Sequence, residues 1–248
     1  MELKDKVAII TGASSGIGRS VALMFAREGA KLVLTDIDEE NGKKLVDKIN
    51  AEGGDSIFLK ADTASPEDAE KSVDLTMEKF GRLDISVNNA GIGGPQAPVG
   101  EYPIDGWQKV ININLSGVFY GMRFQIPAML KSGGGSIVNV ASILGSAGTA
   151  NSGAYVAAKH GVIGLTKSAA IEYASKGIRV NSVGPGYIKT PLLSSLAQPV
   201  LDHLVALHPI GRLGEADEVA QVILWLAGDK ASFVTGSYYP VDGGYLAQ

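Results

Sequence analysis

The chain has 248 residues, 45% of them apolar and 19% charged, with a net charge of −4 and no cysteine. That suffices for one large α/β domain with a substantial core, while the interspersed charges leave no basic face for nucleic acid to follow. Neither a disulfide framework nor a thiolate zinc site is available, and the single short apolar run of MELKDKVAIITG is too brief for a secretory segment or a membrane span. A cytoplasmic protein without membrane or nucleic-acid partners is expected, and no linker divides residues 1–248 into separate domains.

In chain order, KVAIIT (6–11), KLVLT (31–35), SIFLKAD (56–62), LDISVNNA (83–90), SIVNVAS (136–142) and IRVNSVGPG (178–186) read as buried strands rich in Val and Ile. SYYPVDGG (237–244) adds a last strand, for which Pro240 suits an edge. Helical patterns lie between them near 17–28, 38–52, 66–80, 103–131, 153–175 and 215–227. SPEDAEKSV shows a helix start, with Ser65 as N-cap, Pro66 at the first helical position and Asp68 in the capping-box position. Such alternation predicts a single α/β domain: a Rossmann-type, doubly wound parallel sheet of about seven strands with helices on both faces. Ligands of such sheets gather at the carboxyl ends of the strands.

TGASSGIG (11–18) follows the first strand and opens a helix. Gly12, Gly16 and Gly18 let the backbone turn sharply and approach a pyrophosphate, and the helix N-terminus offers N–H groups to it. The spacing is G-x-x-x-G-x-G, not the G-x-G-x-x-G of the common fingerprint. Asp36 ends the second strand about 20 residues on, where an acid meets the adenosine ribose. A carboxylate there accepts from both ribose hydroxyls and repels a 2′-phosphate. Ser15 and Ile37 stand where a base would be needed to hold that phosphate, which favours NAD(H) over NADP(H). The plainer alternative is that Asp36 caps the helix starting near Asp38.

AYVAAKHG (154–161) sets Tyr155 and Lys159 on one helix face. A phenol is a poor base at neutral pH, but a nearby ammonium favours the phenolate and a bound oxidised nicotinamide adds a second positive charge; a shift worth roughly 4 kcal/mol is within reach of the two. The lysine is thus expected to lower the tyrosine into a range useful for proton transfer. Ser142, at the end of SIVNVAS, is placed to donate a hydrogen bond to a substrate oxygen.

With the glycine loop, NNAG (88–91), SGAYVAAK and GPGYIKT (184–190) in order, the whole chain resembles the short-chain dehydrogenase/reductase family. The resemblance implies a secondary alcohol–ketone oxidoreductase in which Ser142 polarises the substrate and Tyr155 is the acid/base. Lys159 would hold the nicotinamide ribose, and Asn114, in NINLSGVF, would anchor a water chain to Lys159. It also implies cofactor contacts from Gly12, Ser14, Ser15, Gly16, Ile17, Gly18, Asp36 and Ile37, and from Asp62 and Thr63 at the adenine. Asn89, Ala90 and Gly91 would line the cofactor, with Tyr155 and Lys159; for Asn88, strand-end capping is an equal alternative. Pro185, Gly186, Ile188 and Thr190 would hold the carboxamide.

Ser142, Leu144, Tyr155, Tyr187 and Leu192 would form the substrate pocket, and residues 187–213 the lid over it. The lid leucines either line that pocket or simply pack the lid down. The resemblance further implies a homotetramer. His160, His203 and His208 are read as surface or pocket wall, and no metal site is expected, although Gln248 matches a position that binds magnesium in some relatives. Two rivals stand beside this reading, an NADPH-dependent 3-oxoacyl thioester reductase and a non-catalytic NAD-sensing regulator.

Overall fold

Seven strands build one sheet: β1 Val7–Thr11, β2 Lys31–Asp36, β3 Asp55–Lys60, β4 Ile85–Asn88, β5 Gly135–Val140, β6 Ile178–Pro185 and β7 Tyr238–Val241. Their order is β3-β2-β1-β4-β5-β6-β7, and every pairing is parallel. The computed structural model describes residues 1–191, 193 and 196–248.

Buried side chains of the strands alternate between two cores. Ala8, Ile10, Leu32 and Leu34 face one core with Val21 and Phe25 of α1 (Gly16–Arg27), Leu45 and Ile49 of α2 (Glu39–Ala51) and Ile223 of α8 (Ala216–Ala227). Ile9, Val33, Ile137 and Val180 face the other, with Val73 of α3 (Pro66–Phe80), Met122 and Ile126 of α5 (Gly117–Lys131) and Val162 of α6 (Gly153–Tyr173). Each fully buried Val, Leu, Ile, Met or Phe among them contributes roughly 1.5–3 kcal/mol of transfer free energy. Both faces are covered, which is why these strands read as continuous apolar runs. β7 takes the edge, and its Pro240 sits where a missing N–H costs least.

Two local expectations are revised. Ser65 caps α3 by accepting from the Asp68 amide, but the Asp68 carboxylate accepts from the Asp62 amide and pairs with Lys71 instead of closing the box. The segment 103–131 is not one helix. It is α4 (Ile104–Ile111), a π turn over Asn112–Ser116, and then α5. The wide turn surrounds Asn114, which is fully buried with its amide turned toward the chain that follows β4.

β1 and β4 are neighbours although helices from opposite faces follow them. At this reversal of strand order the connections diverge and leave a crevice at the carboxyl ends. The glycine turn after β1, the NNAG segment after β4 and the loops after β5 and β6 all open onto that end.

Candidate active site

Gly12 and Gly16 have φ of +64° and +52°, conformations that an L side chain adopts only with strain. Thr11 and Asn89 staple the turn to the end of β4. The Thr11 hydroxyl accepts from the Asn89 and Ala90 amides, and the Asn89 side chain donates to the Thr11 and Gly12 carbonyls, all at 3.0–3.1 Å. Packing at Gly18 is closer still. A Cβ there would lie 2.2 Å from the Gly12 oxygen and 2.6 Å from Asn89 Nδ2. Gly18→Ala is therefore expected to cost about 1–3 kcal/mol through overpacking, read as a lower urea midpoint.

Ser15 is the N-cap of α1, yet its side chain makes no capping bond and the first turn holds no acid. The first-turn amides thus present uncompensated donors, as an anionic ligand requires. Asp36 Oδ2 accepts from the Ser14 amide at 2.9 Å and Oδ1 from the Asp38 amide at 3.0 Å. The cap of α2 is Asp38, which accepts from Asn41, so Asp36 is not the capping residue. Beside it Ile37 is 67% exposed, an apolar surface open to a flat ring. Asp62 is exposed, and Thr63 is half-buried where a Cβ on Gly117 would touch it. These donors and surfaces fit a nicotinamide dinucleotide.

Ser14 departs from the expected set. It is buried, its hydroxyl donates to the Asp38 carbonyl and its amide to Asp36, so it braces the loop from inside. Ile188 likewise turns its side chain into the core, against Gly214, leaving its backbone as the part able to meet a ligand. Pro185 closes β6, and the Gly186 amide donates to the Val241 carbonyl of β7 at 3.0 Å. Thr190 reaches the glycine turn, since a Cβ on Gly16 would sit 3.2 Å from its Cγ2.

The catalytic half gathers around the end of β5. Ser142 is buried, its Oγ accepting from the Leu144 amide at 3.1 Å. That bond occupies a lone pair and leaves the hydroxyl proton free to point elsewhere. Ser142 also hydrogen-bonds Tyr155, and the Tyr238 hydroxyl donates to the Ser142 carbonyl at 2.9 Å from β7. Lys159 is buried, with Nζ 5.6 Å from the Tyr155 ring centre and donating to the Val140 carbonyl at 2.8 Å. Gly91 fits between Lys159 and Asn114: a Cβ there would lie 3.2 Å from Asn114 Oδ1 and 3.6 Å from Lys159 Nζ. Tyr187 stands near enough to influence Tyr155, and Leu144 is buried behind Ser142. Leu192 lies outside the described residues.

Without the dinucleotide's charge, the Tyr155 pKa is raised and not lowered. Burial pushes the phenol above its usual range, the Ser142 hydrogen bond opposes this, and Tyr187 adds to it. Desolvation also brings the Lys159 pKa down from 10.5 to about 8, which leaves it mostly charged at neutral pH. Without a second positive charge the phenol keeps its proton.

The side chain of Asn114 is also committed. Its Oδ1 accepts from the Ile92 amide at 2.8 Å and its Nδ2 donates to the Ile92 carbonyl at 2.7 Å, as a strand neighbour would. Asn88 points into a buried amide network with Gln125 and Asn139 and neither caps its strand nor faces the cleft. Sequence reasoning missed Thr11, Ile92, Val140 and Tyr238. Three of these act through backbone groups or a hydroxyl far along the chain, and Thr11 alone, as the residue before the first glycine, carried a local signal. Among the described residues no cluster of His, Asp and Glu could hold a metal, and no helix is long and apolar enough to cross a membrane.

A cleft of this kind carries out oxidation and reduction with a bound dinucleotide, and the protein is by class an oxidoreductase. The chain belongs to the short-chain dehydrogenase/reductase family: a family model described as enoyl-(acyl carrier protein) reductase matches residues 12–246. It is 53% identical to cyclohexanol dehydrogenase of Acinetobacter sp. (strain SE19) over 247 residues, covering 100% of this chain and 97% of that one. It is 43% identical to cis-4-hydroxycyclohexanecarboxylate dehydrogenase of Sinomonas cyclohexanicum, covering 98% and 97%. Among solved structures, levodione reductase superposes with a TM-score of 0.93 at 37% identity, over 99% of both chains.

Proposed function

We propose that the protein is an NAD(H)-dependent dehydrogenase interconverting a secondary ring alcohol and its ketone. The observation that carries this reading is the Ser142–Tyr155 hydroxyl pair beside buried Lys159. Two alcohol relatives whose names specify cyclohexane rings support the substrate class.

When bound, the nicotinamide dinucleotide supplies or takes up the hydride and, oxidised, brings a positive charge. Gly12, Ser15, Gly16, Ile17 and Gly18 would hold its pyrophosphate, Asp36 its adenosine ribose, and Ile37, Asp62 and Thr63 its adenine. Asn89, Ala90 and Gly91 would line it, and Pro185, Gly186, Ile188 and Thr190 would hold its far end. Tyr155 as the phenol would give its proton to the carbonyl oxygen during reduction; during oxidation the phenolate, favoured by Lys159 and by the positive charge of the oxidised dinucleotide, would take the proton from the alcohol and return to the phenol. Ser142, oriented by the Leu144 amide, donates to the same oxygen as charge develops. Lys159 contributes its remaining N–H groups to the ribose side, and Asn114 holds the strand-end segment at Ile92 in register with them. Asn114 would also anchor a water chain to Lys159, as the family resemblance implies.

The family description names an acyl-carrier-protein substrate, as the thioester-reductase rival with NADPH would have, although the reaction it names is at an enoyl and not a 3-oxoacyl group. Against that rival, Asp36 confronts a 2′-phosphate with charge of the same sign, and neither Ser15 nor Ile37 could neutralise it. A silent NAD sensor is the weaker alternative, since Ser142, Tyr155 and Lys159 stand together. The reading extends to a cytoplasmic homotetramer of single-unit protomers, with 187–213 as the substrate lid. Exposed Phe119 and Ile171, with open space at Gly164 on α6, offer apolar surface for self-association.

A panel of secondary alcohols assayed with NAD and NADP tests the proposal. Cyclohexanol should turn over with NAD at least about tenfold better than with NADP, the equivalent of about 1.4 kcal/mol. Asp36→Ala should weaken NAD use by about tenfold and narrow that gap, having removed one charged acceptor. Better turnover of the wild type with NADP would overturn the cofactor assignment.

A further inference from the structure

His208 is one of three histidines, and nothing in the chemistry above uses it. It is 3% exposed, just beyond α7 (Gln198–Ala206) where the lid returns to the body. Both ring nitrogens are engaged. Nδ1 lies 2.7 Å from the Leu204 carbonyl, and the Tyr187 amide donates to Nε2 at 3.2 Å. A carbonyl on one side and an N–H on the other define the neutral imidazole protonated at Nδ1. The ring meets Tyr187 edge-on at 5.8 Å and Tyr245, of the C-terminal turn, at 5.7 Å. The fit is close: a Cβ on Gly186 would lie 2.8 Å from Nε2. From the far side, Gln248 donates to the Leu207 carbonyl.

We infer that His208 is a positioning residue: it couples the lid helix to the Tyr187 backbone and so sets the substrate wall beside Tyr155. This rests on the alcohol–ketone reading given above. The inference follows from where the two bonds lead. One end holds α7 within the lid, and the other holds the residue whose hydroxyl influences Tyr155. A histidine is required because one rigid ring must donate at one nitrogen and accept at the other, which neither phenylalanine nor lysine does.

Three variants separate the parts. His208→Asn keeps a donor near the Nδ1 position, His208→Gln keeps an acceptor near the Nε2 position, and His208→Phe keeps only the ring contacts. For cyclohexanol, Asn and Phe should raise KM by about tenfold, the cost of leaving the buried Tyr187 amide unpaired. Gln should stay within about threefold of the wild type, and kcat should change by less than about twofold in all three, since His208 hydrogen-bonds only Leu204 and Tyr187 and not the groups placed at the substrate oxygen. Amide hydrogen exchange gives a readout independent of turnover: the Tyr187 amide should exchange faster in the Asn and Phe variants and not in the Gln variant. Exchange altered as expected with an unchanged substrate KM would overturn the positioning role, as would an equal fall of kcat in all three. Unaltered Tyr187 exchange in the Asn and Phe variants would overturn the coupling itself. A wild type that turns over no secondary alcohol would instead refute the proposed function, leaving the exchange data to decide the coupling.

Discussion

Tyr155→Phe should lower kcat/KM for a secondary alcohol by about 10²–10⁴-fold, the contribution of a well-placed general acid or base. The variant loses one oxygen from a ring whose packing against Val110, Ala154 and Ala158 is otherwise retained. Its fold and its affinity for NAD, followed by fluorescence titration, should therefore stay close to those of the wild type. The loss should be largest at pH values where proton transfer limits the rate. Ser142 remains in place with its proton free, so a residual rate above the uncatalysed reaction is expected from polarisation alone. Retention of most of the activity would mean that another group, reached through water, moves the proton.

Lys159→Met should lower turnover by at least about 100-fold and, unlike the tyrosine variant, leave a signature in stability. Burial lowers the lysine from 10.5 to about 8, a difference corresponding to about 3 kcal/mol. The unfolded chain holds this proton more tightly than the folded one. Wild-type stability therefore carries the full cost below about pH 8 and recovers it as pH climbs toward 10.5. Methionine has nothing to titrate. Urea unfolding of both proteins at about pH 7 and pH 10.5 should show the difference moving by about 2–3 kcal/mol in favour of the wild type at the higher pH. Comparing the two proteins at each pH cancels the other groups that titrate in this range. A difference independent of pH would mean that the ammonium is solvated in the folded protein. The bond to the Val140 carbonyl is lost at both pH values and leaves this comparison unchanged.

The strands were legible because a sheet covered on both faces demands apolar side chains at consecutive positions, and Val and Ile recur to meet that demand within 7–10, 32–34 and 178–183. Helix starts were legible where the cap is local, as at Ser65. The π turn at Asn112–Ser116 was not, because the apolar spacing of 103–131 continues through it without interruption. The turn coincides with a bond from Asn114 to a partner 22 residues away, the backbone of Ile92, which a periodicity cannot register.

The site divides in the same way. Glycines with positive φ, a carboxylate at the end of β2, and a tyrosine and lysine one helical turn apart are features of short stretches of chain, so residue type and spacing announce them. The direction in which Tyr155 shifts is not such a feature. Spacing places Lys159 beside Tyr155, but how far burial raises the phenol in the absence of the dinucleotide's charge depends on the surroundings of both side chains. His208 is the extreme case. On sequence it is a lone histidine after an apolar helix, and only its two partners, Leu204 and Tyr187, give it work.

By itself, then, the order of residues determined the parallel sheet, the glycine turn and the identity of the hydroxyl pair, since each depends on steric and hydrophobic preferences acting within a few residues. Tertiary structure alone decided which protons are held, which amide braces Asn114 and which segment His208 restrains. Those depend on desolvation and on hydrogen-bond partners brought together across the chain, and both arise only once the layers have packed.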